Sequence, residues 1–138
     1  MVPDNIDHAL AERLFLRYME RSKLPERYTR VVCAGETAIG VIHDVSVQNG
    51  ALELGWALRS EYHGKGYCTE AVGLVLHELR ARGVDSVIAG AFIENPASLR
   101  VMEKNGMKRI KFQEMISYKG KEHLCVYCSI DLGDAPHG

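Results

Sequence analysis

The stretch EYHGKGYCTEA, residues 61–71, sets Gly64 and Gly66 on either side of Lys65 and then runs without a break into a segment with helical spacing. Its neighbours give it meaning. Upstream, ALELGWAL (residues 51–58) alternates as a strand does, with Leu52, Leu54, Trp56 and Leu58 on one face and Ala51, Glu53, Gly55 and Ala57 on the other. Downstream, TEAVGLVLHELRARG (residues 69–83) places Ala71, Val72, Val75, Leu76 and Leu79 on one helical stripe, and Gly83 stands where a C-terminal glycine belongs. VDSVIAGAF (residues 84–92) is a nearly continuous apolar run, as suits a strand covered on both faces. Strand, glycine loop, helix and strand in that order predict a right-handed crossover to a parallel neighbour.

The rest of the chain reads around this unit. TRVVC (29–33), AGET and TAIGVIHDVSV (37–47) form a hairpin pattern, and QNG (48–50) turns into residues 51–58 through an Asn-Gly pair suited to tight turns. Residues 4–21 space Ile6, Leu10, Leu14 and Tyr18 for one amphipathic helix. NPASLRVMEKNG (95–106) is a well-punctuated helix: Asn95 fits the N-cap, Pro96 the first position and Gly106 the stop. Two last strands, near 108–118 and 121–132, are joined by KGK, and the tail 133–138 looks frayed. The expectation is one α+β domain over residues 1–132, with a mixed sheet, mostly antiparallel, that has one internal parallel junction.

Composition limits the function. A chain of 138 residues, 46% hydrophobic and 25% charged, is one ordinary globular domain. With 17 basic and 18 acidic residues, its net charge of -1 gives no global attraction to nucleic acid or an anionic membrane, so any anion site is local. Apolar runs such as AVGLVL fall far short of a membrane span, and acids stand where a signal peptide carries bases; the reading is a cytoplasmic protein. Cys125 and Cys128 form C-x-x-C, but on a strand, where side chains three apart face opposite sides; with Cys33 and Cys68 they are read as free thiols, and no structural metal is expected.

The glycine loop can be sorted by mechanism. A nucleotide triphosphate loop needs Ser or Thr after its lysine, and Lys65 is followed by Gly66. The dinucleotide fingerprint is matched only at Gly64 and Gly66, with Thr69 in third place, and Asp85 precedes the next strand instead of ending it. Two readings remain at this point. One is a plain strand-to-helix connector. The other is an anion site in which glycine lets a phosphate approach the main chain at the positive end of a helix.

From Leu58 the chain reads LRSEYHGKGYC, followed by TEA and later by ENPASLRVMEKNGM. Together these segments resemble the acetyl-coenzyme A signature of the GNAT superfamily of N-acetyltransferases, most of all its ribosomal-protein N-terminal acetyltransferase branch, over roughly residues 31–132. The resemblance implies a three-layer α/β/α fold and acetyl-CoA as co-substrate. It implies that the loop amides of His63, Gly64, Lys65, Gly66, Tyr67, Cys68 and Thr69 hold the diphosphate. Main-chain groups at Ala57 and Leu58 would pair with the pantetheine arm like an added strand, and the Asn95 side chain would hold the same arm. Two positions depart from the pattern: the family usually has Arg or Gln at His63 and Gly or Ala at Cys68.

Attack of an amine on an acetyl thioester requires a base for the ammonium, support for the oxyanion and a proton for the departing thiolate. The resemblance carries the base to Glu53 and the acid to Ser98; Tyr118 and Tyr127 are alternative acids. Each has a plain counterpart: a solvated strand glutamate, a first-turn serine, packing tyrosines, and an Asn95 that only caps its helix. The expected function is acetyl transfer to a primary amine, either a protein N-terminus or a small molecule; the alternative is a catalytically degenerate CoA-binding or protein-interaction module. Relatives begin with a further strand and helix before the part matching residues 4–24, so the chain is read as N-terminally shortened, with a homodimer partner as one source of the missing pocket wall.

Overall fold

The computed structural model describes residues 28–48 and 51–133. Six strands, β1 (Thr29–Ala34), β2 (Thr37–Gln48), β3 (Ala51–Leu58), β4 (Ser86–Phe92), β5 (Lys108–Tyr118) and β6 (Lys121–Asp131), form one sheet in the order β1-β2-β3-β4-β6-β5. Helix α1 (Tyr67–Ala81) joins β3 to β4, and α2 (Pro96–Lys104) joins β4 to β5. The β3–β4 pair is parallel and every other neighbour is antiparallel, which is the α+β architecture expected. The expected helix at 4–21, the Asn-Gly turn at 49–50 and the end of the tail lie outside the described residues.

Local chemistry accounts for the boundaries. Gly66 ends the loop at φ 81, a left-handed conformation that glycine adopts without strain, and α1 starts directly after it, two residues before the expected Thr69. Gly83 (φ 88) and Gly106 (φ 82) close the two helices in the same way. Asn95 caps α2 by accepting from the Ser98 amide, with Pro96 at the first position. A short 3-10 turn at Ser60–Tyr62, not expected from the sequence, folds the chain back over the end of β3.

The core lies between one face of the sheet and both described helices. Leu54 and Trp56 of β3 and Val87, Ala89 and Ala91 of β4 meet Val72, Val75, Leu76 and Leu79 of α1 and Val101 and Met102 of α2. The predicted stripe on α1 is the buried one because residues three and four apart share a helix face. Cys128 joins this core while Cys125, three residues earlier, faces the opposite side with Gly55 and Ala57, and both thiols are free.

A second helix anchor sits at the sheet edge. The Tyr28 hydroxyl donates to Glu78 Oε1 at 2.6 Å, and Arg30 donates through Nε and Nη2 to the two Glu78 oxygens at 2.9 and 2.8 Å. The Arg30 guanidinium also lies 4.6 Å over the Tyr28 ring, so β1 and α1 are joined by a two-pronged ion pair braced by an aromatic face. The Arg30 hydrogen bonds, then that of Tyr28, hold the Glu78 carboxyl down at about 2 against an ordinary 4.5. A depressed carboxylate contributes stability above its unfolded pKa and loses it as pH falls through the folded value. Glu78→Gln is therefore expected to lower the melting temperature at neutral pH, with the gap from wild type closing as pH falls from 4.5 towards about 2. Melting curves across that range check this, and a constant gap would contradict it.

Candidate active site

The site begins where two strands part. β3 and β4 pair only from Ala51↔Ser86 to Leu54↔Ala89. Beyond those residues β3 continues to Leu58 against β2, and β4 continues to Phe92 against β6. Between them the sheet opens into a fork whose inner edges are the main chains of residues 55–58 and 90–92.

Register decides which main-chain groups face the fork. The Arg59 amide donates to the Ile39 carbonyl at 2.7 Å, and Val41↔Ala57 and His43↔Gly55 follow in the same ladder. Along a strand, hydrogen-bonding groups alternate sides. Ala57 therefore turns its N–H and C=O towards Val41, and those of Trp56 and Leu58 point into the fork. The expectation that Ala57 faces a pantetheine arm is corrected on this ground: the β2 ladder uses its main chain. At this depth the main chain turned to the fork is that of Trp56, which the sequence reading gave only a strand face shared with Leu52, Leu54 and Leu58.

The glycine loop closes the outer end of the fork. Gly64 (φ 74) and Gly66 (φ 81) are both left-handed, and a β-carbon added to either would meet nothing within 4 Å, so the space above the loop is open. No side chain caps the N-terminus of α1, and its first described bond runs from the Glu70 amide to the Gly66 carbonyl. First-turn amides have no carbonyl one turn back, and with the helix dipole they favour an anion. Lys65 is exposed, its ammonium 5.9 Å from the Tyr62 ring centroid. A diphosphate ester fits this arrangement: open space, left-handed glycines, an uncapped helix and a local cation. Cys68 is half-buried and packs against the core, in keeping with its small-residue position.

Across the fork, on the sheet face opposite the core, lies a group of polar side chains. Glu53 is half-buried and accepts from Ser46 Oγ at 3.0 Å. Gly55 beside it leaves room for the His43 ring, since a β-carbon there would come within 2.6 Å of Nε2. Gly90, the first β4 residue past the pairing, does the same for Tyr127 and Cys125: a β-carbon would lie 2.5 Å from the ring and 3.0 Å from Sγ. The Tyr127 hydroxyl donates to Glu114 Oε2 at 2.5 Å. Burial, and then this hydrogen bond, push the phenol well above its ordinary value. Burial also raises the Cys125 thiol, with Glu114 and Glu53 pushing the same way against its hydrogen bond to Tyr127. Glu114 escaped the sequence reading because an exposed strand glutamate carries no motif.

The remaining candidates separate. Asn95 and Ser98 are fully enclosed, at 2% and 0% exposure, and both ends of the Asn95 amide contact Ser98. Tyr118 belongs to an aromatic group with Phe92 and His123, and its hydroxyl has no hydrogen-bond partner. Asn105 braces the two helices, donating to the Thr69 carbonyl at 3.1 Å across the bare backbone of Gly73. Among the described residues no helix is long and apolar enough to cross a membrane.

Residues 1–108 match the family described as acetyltransferase (GNAT) domain. The chain belongs to this acetyltransferase family. A relative from Bacillus subtilis (strain 168), YjcK, described as a probable N-acetyltransferase, is 33% identical over 101 residues, which cover 67% of this chain and 54% of that one. The chain spans about half the length of the curated relatives it matches. Among solved structures, the ribosomal-protein-S5-alanine acetyltransferase from Vibrio fischeri superposes with a TM-score of 0.72 at 21% identity, over 89% of this chain and 71% of that one. YncA of Salmonella typhimurium, solved with its cofactor acetyl-CoA, gives 0.73 at 17% identity, over 87% of this chain and 73% of that one. These likenesses place the sheet described above, with its single parallel junction, in the GNAT fold.

Within that fold the Gly90 contact can be tested alone. Gly90→Ala forces the Tyr127 ring aside and is expected to cost about 1–3 kcal/mol, as overpacking does. In a Tyr127→Ala background the same change should cost much less, because the obstructing ring is gone. Denaturant unfolding of the four proteins measures this, and equal costs in both backgrounds would contradict the contact.

Proposed function

We propose that the protein is an N-acetyltransferase that moves the acetyl group of acetyl-CoA to a primary amine, with a site most like that of the ribosomal-protein N-terminal acetyltransferases. The observation that carries this reading is the fork between β3 and β4, closed at its outer end by an uncapped glycine loop. A diphosphate and a linear amide-bearing arm match those two features in sequence. Acetyl-CoA, when bound, supplies the activated acetyl thioester. The loop amides from Gly64 to Thr69 receive the diphosphate; the His63 amide, expected among them, donates to the Ser60 carbonyl at 3.1 Å and so only leads into the loop. Trp56 offers its N–H and C=O, and Leu58 its N–H, to the arm as a strand offers them to a neighbour, and a donor N–H there is suited to support an oxyanion.

Glu53 takes the proton of the acceptor ammonium. Its support is a half-buried place on the sheet face opposite the core, next to the end of the β3–β4 pairing where the fork opens. Tyr127 is favoured to return a proton, because its ring crosses Gly90 where β4 leaves β3. Ser98, the other candidate, is enclosed with Asn95, and the pair is better suited to fixing the start of α2 directly after β4. An α-amine, with a pKa roughly 8, needs less help from a weak base than a lysine near 10.4, so protein N-termini and small α-amines are the favoured acceptors.

Thiol release from acetyl-CoA with a panel of amines tests the activity. Glu53→Gln is expected to lower kcat by about 100-fold or more, in the range of general-base catalysis, while the KM for acetyl-CoA stays within about twofold. Comparable losses in both would make Glu53 structural, and a larger loss in Glu114→Gln alone would move the base to that residue. Faster turnover of an α-blocked lysine peptide than of a free α-amine peptide would overturn the acceptor preference. A rise in melting temperature with CoA but no turnover on any amine would leave a binding module.

A further inference from the structure

We propose that His63 is a positioning residue acting through Leu58: its imidazole ties the diphosphate loop to the strand that lines the fork, and the ring itself does not hold the diphosphate. The proposal rests on the acetyl-CoA reading of the loop. His63 Nε2 lies 2.7 Å from the Leu58 carbonyl oxygen. A carbonyl only accepts, so Nε2 carries the proton and donates it. The Nε2 proton is therefore committed to the main chain of β3.

Leu58 needs such a partner for a reason set by register. Its N–H and C=O point away from β2, to the side that β4 has already left. At the corresponding place in an unbroken sheet a neighbouring strand would supply the donor. A buried or half-buried carbonyl left without one is costly, and the imidazole fills that role.

The intervening chain makes the tie consequential. The Tyr62 amide donates to the Arg59 carbonyl at 3.0 Å and the His63 amide to the Ser60 carbonyl at 3.1 Å, closing the 3-10 turn. His63 is thus the last residue held by that turn and the first of the loop. After it come Gly64 and Gly66, the two residues with the greatest backbone freedom. Without the ring, the Leu58 carbonyl would lose its donor and the end of β3 that lines the fork would loosen, so the arm would be held less well whether or not a diphosphate is attached to it. A glutamine at 63 has an amide donor at similar reach and should serve equally, whereas alanine cannot.

Two measurements separate this role from a phosphate contact. The first needs no activity: amide hydrogen exchange over residues 59–66 in the free protein should rise about fivefold in His63→Ala, as expected for losing one hydrogen bond, and stay near wild type in His63→Gln. The second compares acetyl-CoA with acetyl-pantetheine, which lacks the diphosphate and adenosine. His63→Ala should lower kcat/KM by about fivefold to tenfold for both donors, mainly through KM, and His63→Gln should restore both. A loss confined to acetyl-CoA would assign the ring to the diphosphate and overturn the proposal. Unchanged exchange in His63→Ala, or no rescue by glutamine, would overturn it as well. Wild-type protein that acetylates nothing would remove the acetyltransferase reading, while the exchange result would still decide whether the tie exists.

Discussion

The early end of the β3–β4 pairing is the constraint on which the rest of the molecule depends. Four residue pairs join these parallel strands, and then each follows its other neighbour. A sheet that stopped pairing without compensation would leave a row of buried main-chain donors and acceptors, each costly to leave unmade. The chain answers this in two ways. At the Leu58 end a histidine side chain supplies a donor; deeper in the fork the groups of Trp56 remain for a ligand of extended, amide-bearing shape. A fold that keeps such an opening has a binding site built into its hydrogen-bond pattern.

The core supports the opening from behind. Trp56, one of the largest fully buried residues, puts its side chain under α1 while its main chain faces the fork. The same residue therefore anchors the helix that presents the loop and offers the cleft its peptide groups. Asn105 and Gly73 add a brace between α2 and the first turn of α1, and the Arg30–Glu78–Tyr28 group fixes the other end of α1 to the sheet edge. The N-terminus of α1 is thus held relative to β3 by contacts at both ends of the helix, which preorganises the loop amides instead of leaving them to be ordered by a ligand.

Much of this was legible in the residues. The alternation of ALELGWAL gave the two faces of β3, and the stripe on α1 gave its buried side, because both follow from fixed periodicities. Asn95, Pro96 and Gly106 marked α2 by capping chemistry alone. The fork was not legible, since a strand edge carries the same alternation whether or not its neighbour continues beside it. That the Ala57 main chain turns to β2 and that of Trp56 to the fork was not legible for a related reason: the side to which a main chain points is set by register with β2, which includes an irregularity between Asp44 and Ser46. Glu114 and Tyr127 come together only through the β5–β6 pairing, whose register shifts between Arg109 and Gln113. Bulges of that kind re-aim side chains without leaving a pattern in the sequence.

The account stands on one physical claim, that the loop and the fork form a single site for a diphosphate ester with an extended arm. Amide chemical-shift mapping of the protein titrated with CoA tests it directly. The predicted result is that the largest changes fall on the amides of Gly64, Lys65, Gly66 and Tyr67 together with Trp56 and Leu58, saturating with one affinity. Changes confined to other surfaces, or loop and fork amides that saturate independently, would contradict it.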